Sequence, residues 1–249
     1  MVLLALEHCH ASRPEQQTAV EARAMAWLKG MQSQDGGFAA FDADNDWGVL
    51  NSIPFSDHNA MLDPTCPDIT GRVLEALCRR GLPHSDPIVH NAVNFLLKTQ
   101  EQNGSWYGRW GVNYLYGTFL ALRGLRAADS PDLNVFRKAA DFVQSTQNSD
   151  GGWGESCASY EANRFVSAPS TPSQTAWALL SLLSAGRHDS AAAERGLRYL
   201  VDTQEEDGAW SESLATGTGF PNVFYLRYTL YRHYFPLLVT GLYGRMAGF

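Results

Sequence analysis

The sequence predicts an all-α protein in which helical hairpins repeat along the chain and form an α/α barrel, or toroid. Two observations predict this fold: one short pattern occurs four times, and apolar residues recur at helical spacing between its copies. No stretch of any length alternates apolar and polar residues as a half-buried strand does. Residues 1–249 are interpreted as a single domain, with repeats near residues 17–80, 87–127, 132–186 and 190–245.

The repeated pattern consists of an apolar helical stretch, a glutamine, three residues, a glycine, one residue and an aromatic side chain. Its copies start at Gln32, Gln100, Gln147 and Gln204, which lie 68, 47 and 57 residues apart. Repeats of this length indicate stacked supersecondary units, and their unequal spacing places the insertions in loops. The glycine ends a helix because it adopts positive φ without strain, and a glutamine amide donates twice and accepts twice. We therefore expect each glutamine to join the ends of neighbouring helices.

Second helices are predicted between the copies of this pattern. They cover residues 68–80, residues 110–125, a segment that starts with a capping box at residues 171–174, and residues 221–242 with a kink at Pro236. The order outer helix, turn, loop and inner helix then occurs four times.

Composition limits the classes of function. The formal net charge is −7 and no basic run reaches five residues, which argues against a nucleic-acid surface. The four cysteines show no CxxC spacing, which is typical of reduced thiols in a cytosolic protein. The apolar run at residues 1–6 is too short for a signal peptide, and no segment approaches 18 consecutive apolar residues. The sequence thus predicts a protein that is not secreted.

The last predicted helix carries an aromatic stripe. Five side chains at spacings of four, four, three and four fall within an arc of about 80° on one helix face: Phe220, Phe224, Tyr228, Tyr231 and Phe235. Such a stripe is typical of a core, and it also suits a pocket whose ring faces stabilise cations. Likewise, Asp68 and Arg72 at i,i+4 suit either a surface ion pair or a functional pair. The residues alone leave both alternatives open.

Several longer blocks are more specific. They cover residues 41–45, 53–57, 104–117, 170–179 and 216–221. Together with the four glutamine turns, these blocks resemble the QW repeats and neighbouring motifs of squalene-hopene cyclases over essentially the whole chain. The resemblance implies the C-terminal part of a two-barrel enzyme whose pocket lies between the barrels. It also implies proton-initiated cyclisation of squalene to hopene and hopanol, with no metal and no other cofactor.

One motif of the family is missing from the sequence. The proton donor of these cyclases belongs to an Asp-x-Asp-Asp-Thr motif, which does not occur here; Asp42-Ala43-Asp44-Asn45 matches a different block of the family. The expectation is an incomplete barrel that is inactive on its own, either as a fragment of a cyclase or as an acid-less protein.

The resemblance also implies roles for single residues. Asp68, Arg72 and Tyr116 match positions that support the acid; Arg72 stands where many members have histidine, and it stays charged. Substrate-binding positions are implied along the pocket wall and at the constriction through which squalene arrives from the membrane: Phe41, Trp110, Phe220, Phe224, Tyr228 and Tyr231 in the wall, and Phe55 and Ser56 at the constriction.

The implied setting is the cytoplasmic face of a bacterial membrane, with monotopic contact and squalene as the partner. An open barrel edge predicts aggregation or a homodimer. Two alternatives are a non-catalytic helical module and a barrel like the β subunit of protein prenyltransferases, which needs zinc and an Asp-x-Cys pair that is absent here. A calcium loop at Asp42, Asp44 and Asp46 is rejected because Trp47 stands where such a loop needs glycine.

Overall fold

The computed structural model describes residues 3–4, 14–47 and 62–246. Its helices are α1 Pro14–Gly30, α2 Pro67–Arg79, α3 Pro87–Lys98, α4 Tyr114–Ala127, α5 Leu133–Ser145, α6 Ala158–Ala162, α7 Pro172–Ser184, α8 Ala191–Asp202 and α9 Tyr231–Met246. A two-stranded antiparallel sheet joins β1 Gly217–Phe220 to β2 Phe224–Leu226. The predicted all-α class is confirmed, with this small hairpin as an addition.

The helices form an inner and an outer layer. The inner helices α2, α4, α7 and α9 pack on one another in that order, and α4 and α7 are buried on nearly all sides. Each of α1, α3, α5 and α8 leads into one of the glutamine turns and lies outside the inner layer. Helices α2 and α4 approach so closely that a Cβ added at Gly71 would lie 2.3 Å from the carbonyl oxygen of Leu120. Glycine is required at this contact because backbone meets backbone.

Three glutamine turns tie one outer helix to the next. In the first, Gln32 Nε2 donates to the carbonyl oxygens of Gly36 at 3.0 Å and of Ile88, in the first turn of α3, at 2.9 Å. The next two turns repeat both bonds, from Gln100 to Gly104 and Val135 and from Gln147 to Gly151 and Ala192. The expected bridging is confirmed at these three positions.

The tryptophans of the turns add a bond that the sequence did not predict. The indole Nε1 of Trp106, Trp153 and Trp210 donates to a carbonyl oxygen of the preceding outer helix at 2.7–2.8 Å. All three rings are buried. Each tryptophan therefore fixes its loop to the outer helix from which the loop emerges.

The capping box at α7 forms only in part. Thr171 Oγ1 accepts from the backbone N–H of Gln174 at 3.2 Å, as predicted. The Gln174 amide, however, donates to the carbonyl oxygens of Val112 at 3.2 Å and Glu155 at 3.0 Å rather than serving Thr171 N–H. Gln174 thus links the N-terminal ends of α4 and α7.

The predicted last helix is wrong over its first half. Residues 217–226 form the β-hairpin, whose turn holds Asn222 at φ 64°, and α9 begins only at Tyr231. The reason is tertiary: Val112 N–H donates to the carbonyl oxygen of Thr216 at 2.9 Å, so the segment pairs with the loop before α4. Pro236 lies inside α9, as predicted.

Candidate active-site wall

Arg72 and Tyr116 meet at the N-terminal ends of the inner helices. Arg72 Nη2 donates to Tyr116 Oη at 2.8 Å, and the guanidinium carbon lies 6.0 Å from the centroid of the Tyr116 ring. Arg72 is in the second turn of α2 and Tyr116 is the third residue of α4. The close contact of these helices at Gly71 brings the two side chains together.

Asp68 lies one helical turn before Arg72 and is fully buried. Its carboxylate accepts from the backbone N–H of Trp110 at 2.9 Å and from its neighbour Ile69 at 3.0 Å. Burial raises the pKa of Asp68, while the hydrogen bonds and the charge of Arg72 oppose that rise. The alternative of a surface ion pair is therefore wrong, because Asp68 is interior and binds the loop that carries Trp110.

The tyrosines beside Arg72 stay protonated at neutral pH. Burial raises the pKa of Tyr116, and the nearby positive charge of Arg72 only partly offsets this. Burial likewise raises the pKa of Tyr231, although Arg72 and hydrogen bonds with Tyr234 and Tyr116 lower it. Since Arg72 donates to the Tyr116 oxygen, the hydroxyl proton of Tyr116 is directed to another acceptor, and the Tyr231 hydroxyl oxygen is such an acceptor.

Several buried side-chain groups at this end have no hydrogen-bond partner among the described residues: Arg72 Nε, Arg109 Nε, Trp110 Nε1, Asn113 Nδ2, Ser173 Oγ and Trp177 Nε1. An unsatisfied buried donor costs about 1–3 kcal/mol, and a charged one more. Arg72 thus offers a charged N–H that fits an anion such as a carboxylate.

The aromatic rings at this end of the inner layer, which form the aromatic wall, fall into two groups of touching rings. The first group runs from Phe41 to Trp110, Phe220 and Phe224, with successive centroids 5.8, 6.3 and 5.8 Å apart. The second runs from Tyr228 to Tyr231, Trp177 and Tyr116, at 4.6, 6.0 and 4.9 Å.

The five residues of the predicted stripe do not lie on one helix. Phe220 and Phe224 lie on opposite strands of the hairpin, Tyr228 lies in the following turn, and only Tyr231 and Phe235 share a helix. The single helical arc is therefore wrong, although its members still gather at one end of the inner layer. The Tyr228 ring covers Gly217, where an added Cβ would lie 2.3 Å from it.

This aromatic surface is open on one side. Phe41, Phe224 and Tyr228 are 68%, 42% and 39% exposed, whereas Tyr116 and Trp177 are buried. Large exposed rings in contact with one another suit a wall that another element covers. The residues Phe55 and Ser56 lie outside the described residues.

Sequence reasoning missed Trp177 and Phe119 as members of the wall, whereas Phe235 belongs to the predicted aromatic stripe. Trp177 is fully buried, stacks on Phe119 with an interplanar angle of 7°, and meets Phe235 edge-on at 5.5 Å. Trp177 lies on an inner helix that is apolar on almost every side, so its sequence pattern looked like ordinary core. The available signals were its position one turn after Gln174 of the capping box and its place within the block of residues 170–179.

Glu155 holds the first turn of α4 in place. Its buried carboxylate accepts from the backbone N–H groups of Asn113, Tyr114 and Leu115 at 3.1, 3.1 and 2.9 Å. Burial raises the pKa of Glu155 to about 6, although these hydrogen bonds lower it. Carboxylates stabilise helix N-termini, so Glu155 fixes the turn from which Tyr116 projects.

Within residues 14–47 and 62–246, no three metal-binding side chains converge, and no helix has the length and hydrophobicity that crossing a bilayer requires.

Comparison with known proteins assigns this chain to a family. The family model of the squalene-hopene cyclase C-terminal domain matches residues 1–245. The chain is 48% identical over 229 residues to a squalene-hopene cyclase from Zymomonas mobilis subsp. mobilis, covering 91% of this chain and 35% of that protein. It is 50% identical over 231 residues to one from Bradyrhizobium diazoefficiens, covering 90% and 34%. The chain thus spans about a third of the length of these relatives.

The fold also resembles that of a type II terpene cyclase, MstE, from Scytonema. The TM-score is 0.56 at 19% identity, with 81% of this chain and 54% of that chain covered. The likeness supports the α/α barrel fold. By its match to the family model, the chain belongs to the squalene-hopene cyclase C-terminal domain family.

Proposed function

We propose that this chain supplies one wall of the active site of a squalene-hopene cyclase, which converts squalene to hopene and hopanol after protonating a terminal alkene. One observation carries the proposal: a buried arginine with an unpaired N–H lies beside a wall of touching aromatic rings. The relatives' names support squalene as the substrate.

Arg72 and Tyr116 support the acid in this proposal. An unactivated alkene needs a strong acid, and an acid is strengthened when its conjugate carboxylate is stabilised. The charged Arg72 has a free Nε–H for such a carboxylate, and its own orientation is fixed by the bond to Tyr116. Tyr116 keeps its proton at neutral pH, so it can return a proton through water after each turnover. Asp68 acts as a positioning residue, because it binds the Trp110 loop.

The aromatic wall stabilises the carbocations that follow. A cation over a ring face gains about 0.5–2 kcal/mol or more when water is absent, and a ring does not trap the cation as a nucleophile would. Phe220, Phe224 and Trp110 form one section of the wall and Tyr228 and Tyr231 the other. Two sections suit a reaction in which positive charge moves along the substrate as rings form. In this assignment Phe41, Phe55 and Ser56 also contact substrate.

The finer features of the proposal follow the family. The glutamine turns are its QW repeats, and the parent enzyme is bacterial and lies on the cytoplasmic face of the membrane, from which squalene arrives. The 249 residues alone lack the acid motif and do not cyclise squalene.

A chimera tests this function. Residues 1–245 replace the corresponding third of the Zymomonas mobilis cyclase, and the products formed from squalene are measured by gas chromatography and mass spectrometry. We expect hopene and hopanol from the chimera and none from the 249-residue chain. Arg137→Ala serves as a control on an exposed outer helix. A folded chimera that makes no cyclic triterpene would overturn the proposal.

A further inference from the structure

The loop before α4 carries Trp110 of the aromatic wall, and segments distant in the chain hold it in place. The carboxylate of Asp68, on α2, accepts from the Trp110 N–H at 2.9 Å. The hydroxyl of Tyr160, on α6, lies 2.7 Å from the carbonyl oxygen of Gly108 and 2.8 Å from that of Gly111. Since the loop forms neither a helix nor a strand, these side chains and its neighbours set its orientation.

Strand β1 is the third neighbour of this loop, and its backbone pairs with the loop only in part. Val112 N–H donates to the carbonyl oxygen of Thr216 at 2.9 Å. The next contact runs from Thr218 N–H to the carbonyl oxygen of Trp110 at 3.5 Å, beyond the usual range of an N–H···O hydrogen bond. The backbone pairing therefore weakens as it reaches the residue whose ring belongs to the wall.

The side chain of Thr218 makes up for this weak pairing. Its hydroxyl donates to the carbonyl oxygen of Arg109, and Thr218 is fully buried. Arg109 C=O and Trp110 N–H are the two ends of one peptide group, and Asp68 binds the N–H end. Because a peptide group is planar, bonds at both of its ends fix its orientation. Thr218 and Asp68 together thus set the direction in which the chain enters Trp110.

The residues on either side of Thr218 contact the rings of the wall. A Cβ added at Gly217 would lie 2.3 Å from the Tyr228 ring, and one added at Gly219 would lie 1.9 Å from the Phe224 ring. Successive residues of a strand point to opposite faces, so the glycines face these rings while Thr218 faces the loop. Strand β1 therefore connects the Trp110 loop to both groups of rings.

We propose that Thr218 is a positioning residue that determines product specificity, because its hydroxyl keeps the Trp110 ring in place beside Phe220. The inference rests on the cyclase function proposed above, and Thr218 acts through Trp110. A ring that has moved stabilises a carbocation less well. Such a cation loses a proton before the next ring closes: the electron pair of a C–H bond becomes an alkene, and water takes the proton.

Two substitutions at Thr218 in the chimeric cyclase test the proposal. Thr218→Val keeps the shape of the side chain and removes the hydroxyl. We expect it to slow the formation of hopene and hopanol about tenfold and to raise the share of partially cyclised triterpenes. KM should change by less than about twofold, because the whole wall binds substrate. Thr218→Ser keeps the hydroxyl and should give the product ratio of the wild type. Gas chromatography with mass spectrometry measures the products.

The matched control is Thr175→Val, which removes another buried hydroxyl that binds a loop. Thr175 Oγ1 accepts from the N–H of Trp153 at 3.0 Å, in a glutamine turn. This variant should lower the thermal midpoint as Thr218→Val does and leave the product ratio unchanged. A shift in products that both variants share would show a general loss of stability and would overturn the proposal.

Hydrogen exchange followed by mass spectrometry gives a readout that does not need activity. Thr218→Val should exchange the amides of residues 108–112 at least about tenfold faster than the wild type, and Thr175→Val should not. Unchanged exchange there, or unchanged products from a folded and active Thr218→Val chimera, would overturn the proposal. A wild-type chimera without cyclic products would overturn the cyclase function and with it the role in specificity, while the exchange rates still show whether Thr218 holds the loop.

Discussion

The two ends of the inner helix layer differ in chemistry although the same four helices form both. At the N-terminal ends, aromatic rings lie beside Arg72, whose Nε has no partner in the part of the chain that the structure describes. At the C-terminal ends, a cavity of about 620 Å³ is lined by charged side chains, and the arginines there are mostly engaged. Arg123 forms a two-pronged bond to the buried Glu75, and Arg126 donates to the carbonyl oxygen of Ser184 at 2.7 Å.

Among the described residues, Arg72 Nε is left without a hydrogen-bond partner, whereas Arg123 and Arg126 at the other end bind protein groups and stabilise the fold. At the C-terminal ends, cations complement the helix dipoles and satisfy the last carbonyls. At the N-terminal ends, the dipoles are met by buried carboxylates such as Glu155 and Glu212, which accept backbone N–H groups. Arg72 stands at the positive ends of these dipoles, where a cation is disfavoured unless an anion compensates it. The location of Arg72 thus fits a functional role better than a stabilising one.

The largest expected effect is that of Arg72→Met in the chimeric cyclase. Removing a preorganised charge from a reacting centre costs about 10²–10³ in turnover. The thermal midpoint should stay within a few degrees of the wild type, because the guanidinium makes no ion pair to a carboxylate among the described residues. Initial rates of hopene formation and a thermal melt measure both. A loss of activity matched by a loss of folding would place Arg72 with the structural arginines.

Arg123→Met should give the opposite result at the other end. Glu75 would remain buried with only Arg79, whose Nε lies 3.1 Å from it. We expect a loss of about 2–3 kcal/mol in the free energy of unfolding, below the roughly 3–5 kcal/mol typical when a buried pair is broken outright. Urea unfolding gives the loss, and turnover per folded molecule should not change. If turnover falls as it does for Arg72→Met, the proposed difference in role between the two ends of the inner helix layer is wrong.

Glu155→Gln should change how stability depends on pH. The folded pKa of Glu155 is raised to about 6 from the ordinary 4.5, so the folded state binds the proton more tightly than the unfolded state. This group therefore contributes stability below about pH 4.5 that is lost as pH rises to about 6, roughly 2 kcal/mol in all.

The difference in unfolding free energy between wild type and Glu155→Gln isolates this contribution from other acids. Measured from pH 4 to 7, the wild type should lose about 2 kcal/mol relative to the variant. A constant difference across that range would mean that burial does not raise the pKa of Glu155 above its ordinary value, and the prediction would be wrong.

The smallest expected effects are those of replacing two buried tryptophans, Trp153 and Trp177, with phenylalanine. Trp153 Nε1 donates to the carbonyl oxygen of Val143 at 2.7 Å, whereas Trp177 Nε1 has no partner. Trp153→Phe should lower the free energy of unfolding by about 1 kcal/mol or more, with little change in turnover. Trp177→Phe should lower turnover by roughly two- to tenfold through a weaker ring quadrupole. Product ratios and melts of both variants decide whether Trp177 belongs to the wall.

The repeat was predictable from sequence because its parts are local. Gln32, Gly36 and Phe38 lie within seven residues of one another, and the same spacing recurs three more times. The resemblance to the family likewise singled out Arg72 and Tyr116, although only the structure shows their hydrogen bond. Whether the substrate-binding assignments are correct stays a prediction.

The features that the sequence analysis missed depend on contacts between distant segments of the chain. The 217–226 hairpin was missed because its backbone pairs with residues 110–112, about a hundred positions away, and that pairing overrides helical spacing in the sequence. Trp177 was missed because a pocket ring and a core ring have the same neighbours in sequence. Glu155 was missed because its partners, the N–H groups of residues 113–115, lie on a different repeat.

The contact between Gly71 and the backbone of α4 has a consequence for anyone who redesigns this protein. Gly124 of α4 in turn packs against Gly71, because a Cβ added at Gly124 would lie only 2.5 Å from the Gly71 carbonyl oxygen. The backbones of the two helices are therefore in direct contact at this pair of glycines. Sliding α2 by one residue would move Arg72 by about 1.5 Å along its axis and break the 2.8 Å bond to Tyr116. Loops and ring residues can be exchanged in directed evolution, but libraries should leave this pair of glycines untouched, because they fix the distance between the helices that carry Arg72 and Tyr116.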